Sequence, residues 1–449
     1  MKNQRQTEPL GIVNENAAGL DIGAEEVFAC VPIGSDREGK SIRRFATYTP
    51  DLHEMAVWLG SCGVDTVAME STGVYWIPVH EILEAHGIKS HIVNARHLKN
   101  VPGRKSDVKD CQWIQQLHSY GLLRGSFRPE EDMAVLRSYR RHRDDMIEHR
   151  SAHILHMQKA LTLMNVRLTE VVSDITGVTG MSIIRAIVEG ERDTEVLLRA
   201  RHKGCKHSPE DFMKALTGNY RTEHMFALKQ ALSLYDSYTQ VIAECDARIE
   251  LQFSAMRPAC DEDDQPPLGP DRKSNSHSKN ASSFDSRAQM YRITGVDLTA
   301  VDGLNESTAQ TILSEIGTDM SKWPTVKHFG SWLGLSPHNS ISGGKILKSR
   351  TYKGSARAAQ AFRLAAQSLS KSFTALGASY RRMRARLGSQ QANVATAYRI
   401  ARIVYYMLRD RKPYIPMSVE QYDEAQKRRE LKSLSRRAAL LGYTLSPTA

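Results

Sequence analysis

Ala17-Ala18-Gly19-Leu20-Asp21-Ile22-Gly23 is a short apolar run that closes on a carboxylate, and it sets the fold class. It is too short for a buried helix and is bounded by glycine, which predicts a buried strand. Residues 66–69, Thr-Val-Ala-Met, repeat the pattern and end at Glu70. Residues 27–33, 42–48 and 91–93 read as further strands, whereas 52–59, 79–85 and 107–123 carry helical spacing. Strands that alternate with helices predict an α/β sheet with covered faces over residues 16–128.

Downstream the periodicity changes. Ile147, Ile154 and Leu161, with Met157 and Met164, keep a three-four spacing that forms a heptad seam, interrupted by Arg150. A second helical stretch covers 223–253. Residues 129–256 are therefore expected to form a long helical, coiled-coil arm that pairs within one chain or between subunits. Residues 257–290 are poor in apolar side chains and rich in Ser, Asp, Pro, Asn and Lys, the composition of a disordered linker. A mostly helical domain over 291–415 and a basic tail over 416–449 complete the expected order. The tail carries Lys427, Arg428, Arg429, Lys432, Arg436 and Arg437 on a helix.

The chain has 449 residues, more than one core usually organises, and a formal net charge of +11. The distribution of that charge says more than its total. Residues 320–409 contain no Asp or Glu and hold 16 Lys and Arg. A single-sign field of this length suits a nucleic-acid backbone, because each neutralised phosphate releases counterions. The alternative is an incidental basic face. Six cysteines show neither a Cys-x-x-Cys pair nor zinc spacing, as expected for reduced thiols in a cytoplasmic protein. The first ten residues lack a signal-peptide core, and no apolar run is long enough to span a bilayer, so no membrane partner is expected.

Four acids stand out in the first domain. Asp21 and Glu70 close strands, and Asp107 and Asp110 sit three apart at the start of a helix, on one face. Carboxylates from strand ends and one helix can converge at a sheet edge and hold Mg²⁺, which prefers hard oxygen donors. Two such ions can clamp the attacking and leaving oxygens of a phosphodiester. Each acid also has a plainer reading: Asp107 as a first-turn acid, Glu70 as a surface residue before the Ser71-Thr72-Gly73 turn.

The order of these acids resembles the RuvC branch of the RNase H-like fold. The blocks around them, Gly19-Leu20-Asp21-Ile22-Gly23, Met69-Glu70-Ser71-Thr72-Gly73-Val74-Tyr75-Trp76 and Lys105-Ser106-Asp107-Val108-Lys109-Asp110, resemble those of the DEDD transposases of insertion-sequence family one hundred and ten. The run from Asp110 to Leu117 is similar to its eleven-eleven subgroup.

Residues 298–317 read as a short helix, a turn at Gly303 and a second helix, resembling a helix-hairpin-helix whose turn binds DNA phosphate. Asn305 stands where the second turn glycine is usual, and Asn tolerates the left-handed conformation. A purely structural hairpin is the alternative. Further on, Gly334-Leu335-Ser336-Pro337 is followed by Ser342-Gly343-Gly344-Lys345. By itself Ser-Gly-Gly reads as a loop, and a serine hydroxyl needs activation to attack. The block resembles the serine motif of the same family, in which this serine becomes covalently joined to DNA. Ser342 is the matching position and Ser340 the fallback; the role of Ser355, in a departure from the family turn, stays open. Lys345, Lys348, Arg350 and Lys353 follow as candidate phosphate contacts, beside Gly303 and Asn305.

The resemblance implies a transposase that recombines an insertion sequence through a phosphoserine intermediate, assisted by Mg²⁺ on Asp21, Glu70, Asp107 and Asp110. It further implies double-stranded DNA partners (element ends and target), a structured noncoding guide RNA, and a homodimer or homotetramer whose subunits share the site. Two rivals stand beside it: a RuvC-like junction nuclease using water, and a non-catalytic DNA-binding protein.

Overall fold

A computed structural model describes residues 11–36, 38, 41–70, 73–93, 107–123, 125–260, 265–270, 278–351 and 356–446, with backbone only at 107, 108, 338, 340, 348 and 350. The chain divides into two compact units, Met1–Arg128 and Pro129–Ala449.

In the first unit, β1 (Ala17–Ile22), β2 (Glu26–Cys30), β3 (Ile42–Ala46), β4 (Thr66–Glu70) and β5 (Lys89–Val93) form one sheet in the order β3-β2-β1-β4-β5. β1–β2 and β2–β3 pair antiparallel, whereas β1–β4 and β4–β5 pair parallel. The central strand β1 is apolar on consecutive residues because helices cover both faces of the sheet. Ala18, Leu20, Ile22, Val67 and Met69 point into a core with α1 (Thr49–Ser61) and α2 (Trp76–Ala85), where Leu52, Met55, Trp58, Leu59, Val79 and Leu83 supply the helical stripes. On the opposite face Ala68 and Val93 pack against Ile114 of α3 (Asp107–Ser119). β2 ends at Cys30, short of the expected 33, since Pro32 has no N–H for the ladder. α3 ends at Ser119 rather than 123 because the chain turns at Gly121 with φ of 67°.

The second unit begins with α4 (Glu131–Leu163), followed by α5 (Leu168–Val171), α6 (Val178–Glu189), α7 (Thr194–Leu198), α8 (Pro209–Leu216) and α9 (Thr222–Ala255). α4 and α9 run antiparallel along their whole length, so the arm pairs within one chain. The seam reads Met133, Leu136, Arg140, Arg143, Ile147, Arg150, Ile154, Met157, Leu161 and Met164, all buried or half-buried. The seam was expected to carry one polar interruption, at Arg150; it carries three arginines. Each is admitted by a partner. Arg143 pairs with Asp246 at 2.6 and 3.0 Å, with both side chains almost fully buried. Arg150 reaches Asn280, and Arg140 reaches Asp144, Ser307 and Thr311. α5 to α8 close the far end of the hairpin over Ile183, Ile184, Ile187, Phe212 and Leu216.

The stretch expected to be a disordered linker is in part tied to this hairpin. Arg143 donates to the carbonyls of Asn280 and Ala281, the Ser283 N–H donates to Asp246, and α10 (Ser286–Thr294) already begins at Ser286. Polar composition hid these contacts because they are made to buried charges rather than through apolar burial.

The remaining chain forms α11 (Glu306–Ile316), α12 (Val326–Trp332), a hairpin of β6 (Pro337–Ser342) and β7 (Lys345–Thr351), then α13 (Arg357–Ser368), α14 (Ala375–Leu387), α15 (Ser389–Asp410) and α16 (Val419–Leu440). Ile312, Phe329, Phe362, Ile400 and Val404 are fully buried among them. Ala358, Ala359, Ala361, Ala365 and Ala366 keep the face of α13 small, which lets α11 and α15 approach. Arg141 grips Glu315 through two 2.8 Å bonds and ties α4 to α11. No described helix is long and apolar enough to cross a membrane.

Candidate active site

Strand periodicity decides where the first two acids point. Residues 18, 20 and 22 of β1 face α1 and α2, so Gly19 and Asp21 face α3. In β4 the same alternation puts Ala68 and Glu70 on the α3 side. The strands are parallel neighbours with Leu20 opposite Met69, which makes Asp21 and Glu70 adjacent at the carboxyl ends of both strands. Each is half-buried.

α3 brings the other two acids to that edge. It runs antiparallel to β1. The carbonyl of Ser119 accepts from Val13 and Asn14 ahead of the strand, and Gln115 donates to Ala17. A Cβ on Gly19 would lie 2.4 Å from the Cys111 carbonyl oxygen and 2.2 Å from the Gln115 nitrogen. The helix therefore rests on the glycine backbone, and its N-terminal turn, with Asp107 and Asp110, lies at the end of β1 that carries Asp21. In the sequence Gly19 stands out only as a neighbour of Asp21; its role in seating α3 becomes visible when the helix lies across it. Asp110 is half-buried; the Asp107 side chain falls outside the described ones.

Cys111 follows Asp110 and packs against Cys30 of β2. Its thiol is pushed up by the hydrogen bond to Cys30, by burial and by the nearby charge of Asp21, so it stays protonated. None of the six cysteines forms a disulfide. Among the described residues no three His, Cys, Asp or Glu side chains are close enough together to hold a metal. The donor chemistry is nonetheless that of a hard cation site, since the side chains at this edge offer carboxylate oxygens.

In the second unit Ser342 ends β6 at the tip of the hairpin, opposite Lys345. Gly343 and Gly344 have φ of 54° and 75°, the paired positive values of a two-residue hairpin turn. A loop was expected here. The Gly343-Gly344 pair between two short stretches that contain Ile341 and Ile346 was the available hairpin signal. Ser342 and Lys345 are both exposed, as are Ile341 and Ile346, which face each other across the strands. Among the described residues none makes a hydrogen bond to the Ser342 hydroxyl. Ser340 and Lys348 pair across the ladder and Arg350 pairs with His338; their side chains, and all of Lys353 and Ser355, lie outside the described parts.

The turn at Gly303 differs from the expectation. The element before it is a single 3₁₀ turn, Leu298–Ala300, and Gly303 has φ of 89°. A Cβ there would meet the Ala365 carbonyl oxygen at 2.5 Å, so the tight approach serves packing on α13. Asn305 is not left-handed. It is extended, with φ of −102°, and its side chain caps α11 by accepting from Thr308. These features favour the structural-hairpin reading over a phosphate-binding turn.

Two family models match the chain. One, described as a transposase model for DEDD enzymes of IS110, covers residues 18–166 and contains all four acids. The other, described as transposase IS116/IS110/IS902 family, covers 296–382 and contains Ser342 and its basic neighbours. No curated protein matches the chain. Together the two matches span more than half of the sequence, and the chain belongs to the IS110 family as a DNA transposase.

Proposed function

We propose that this transposase cuts and rejoins DNA of an insertion sequence by covalent catalysis, with Ser342 as nucleophile and an RNase H-like acidic site. The observation that carries this reading is the adjacency of Asp21 and Glu70 on the α3 side of the sheet, with α3 laid so that Asp110 starts at the same edge. The strand order β3-β2-β1-β4-β5, antiparallel on one side of β1 and parallel on the other, supports the RNase H-like assignment.

The hydroxyl oxygen of Ser342 attacks a DNA phosphorus and loses its proton. A Ser–O–P bond forms, the bond from phosphorus to one deoxyribose oxygen breaks, and that oxygen takes up a proton. A hydroxyl from a second strand then attacks the phosphoserine, restoring a phosphodiester and freeing the serine. One ester replaces another at each step, so no external energy source is needed. Bound at Asp21, Glu70, Asp107 and Asp110, Mg²⁺ would supply stabilisation of the phosphate charge. Lys345 pairs with Ser342 across the turn and would hold a phosphate oxygen; Lys348, Arg350 and Lys353, the basic residues that follow in the sequence, are proposed to do the same.

The family resemblance extends the proposal to a structured guide RNA, to a homodimer or homotetramer with a shared site, to the eleven-eleven subgroup, and to a cytoplasmic location. A water-driven junction nuclease is the alternative, because the acids could act on DNA with water as the nucleophile. Ser342→Ala separates the two in an assay with element and target DNA. Loss of strand exchange with retained DNA binding is expected; continued cutting by the variant favours the nuclease.

A further inference from the structure

Two thiols meet beneath the acidic edge. Cys30 of β2 stands opposite Gly19 in the antiparallel register with β1. Cross-strand partners share a face, and Val27, Ala29 and Val31 point toward α1 and α2, so Cys30 points toward α3. Cys111 lies on the part of α3 that rests on Gly19, its carbonyl oxygen 2.4 Å from where a Cβ of that glycine would stand. The missing side chain lets the helix settle low enough on the sheet for the two sulfurs to touch, and the Cys111 thiol donates to Cys30. Cys111 is fully buried and Cys30 is 4% exposed.

Neither thiol takes part in the phosphodiester chemistry proposed above, and both are unoxidised. Their placement couples them to it. Cys30 belongs to the sheet, whereas Cys111 is the chain neighbour of Asp110. A disulfide holds its sulfurs at about 2.05 Å with a restricted torsion, closer than any hydrogen bond. Closing this pair draws the turn of α3 that carries Asp110 toward β2. That strand lies on the side of β1 away from β4, so the pull takes Asp110 away from Glu70. We propose that Cys30 and Cys111 form a reversible disulfide that switches the acidic site off when the chain meets hydrogen peroxide. The Cys30 sulfur attacks one peroxide oxygen, the O–O bond breaks, and the departing oxygen takes the thiol proton and leaves as water. Cys30 is then a sulfenic acid. The Cys111 sulfur displaces its hydroxyl, which takes the Cys111 proton and leaves as a second water. Each sulfur gives up one electron and the peroxide gains two, so two thiols and one peroxide become one disulfide and two waters. Burial selects the oxidant. A molecule near the size of water reaches the pair when the first turns of α3 fray, whereas a glutathione disulfide is too large. The disulfide stands on the geometry alone; its effect on activity rests on the acidic-site reading.

Peroxide treatment of the full chain, followed by alkylation and a non-reducing digest, tests this. Mass spectrometry should find the peptides of Cys30 and Cys111 joined, two hydrogens lighter than their sum, and dithiothreitol should part them. Strand exchange should fall about 100-fold as they join and recover on reduction. Cys30→Ala should keep its activity and lose its sensitivity to peroxide; Cys111→Ser should show the same resistance, relative to its own untreated activity, where Cys30→Ala fails to fold. Absence of the joined peptides overturns the proposal, as does a loss of activity that persists in Cys30→Ala. Joined peptides with unchanged strand exchange also overturn it, and Asp110→Asn in the reduced chain shows why. An inactive Asp110→Asn places the failure in the switch, and a fully active one places it in the acidic-site reading.

Discussion

Gly19→Ala is the smallest perturbation that reports whether α3 holds the acidic edge together. The new Cβ would lie 2.2 Å from the Gln115 nitrogen, 2.4 Å from the Cys111 oxygen and 2.8 Å from the Gln115 Cα. Ordinary contact begins at 3.4 Å, so α3 has to retreat by about 1.2 Å. The obstructing atoms are backbone and cannot rotate aside. Overpacking of this kind costs about 2–4 kcal/mol, a fall in Tm of roughly 10 °C for a unit of this size. Asp110 is joined to Cys111 and moves with it, and a displacement of about 1 Å at a reacting centre costs on the order of 100-fold in rate. Differential scanning calorimetry and a strand-exchange assay read the two effects. Gly60→Ala is the control: it lies within α1 with open space around it and should stabilise by about 0.5–1 kcal/mol. A Gly19→Ala protein that melts with its parent would refute the seating of α3 on β1.

Other outcomes follow from buried polar groups. Asp246→Ala strands the buried Arg143 guanidinium and should cost about 3–5 kcal/mol in chemical denaturation, whereas Arg143→Met with Asp246→Leu should cost less than the single change. His118 is held down to about 4, by burial first and by neighbouring His91 next. Below its ordinary value near 6.5 the unfolded chain takes a proton that the folded one refuses, so stability should fall as pH drops from about 6.5 to about 4, by at most about 3 kcal/mol. His118→Gln can keep a hydrogen bond to Thr66 and should flatten that limb of a pH–stability curve; an unchanged slope would exclude His118 as its source.

The fold of the first unit was largely legible because burial wrote it as apolar runs. β1 and β4 appear where 17–22 and 66–70 were read, and the acids terminate them as expected. The arm was legible through Ile147, Ile154 and Leu161, but only in half its length. In the other half Arg140 and Arg143 occupy seam positions, and no hydrophobic pattern identifies a guanidinium whose carboxylate lies about a hundred residues away. At the acids, residue types, order and an approach to one sheet edge were expected from the sequence. What seats α3 across β1 was not legible, since it depends on the missing Cβ of Gly19 and on the direction of the helix. At the serine, local sequence favoured a loop, while the pairing of Ser342 with Lys345 became evident only with the hairpin formed.

The most direct measurement is mass spectrometry of the peptide spanning the β6–β7 turn after incubating the full chain with element DNA and Mg²⁺ and digesting protein and DNA. A nucleotide joined through phosphate to Ser342 is expected, absent from Ser342→Ala and strongly reduced in Asp21→Asn. DNA that is cut and rejoined with no such adduct, or an adduct on another residue, would contradict the assignment of the nucleophile.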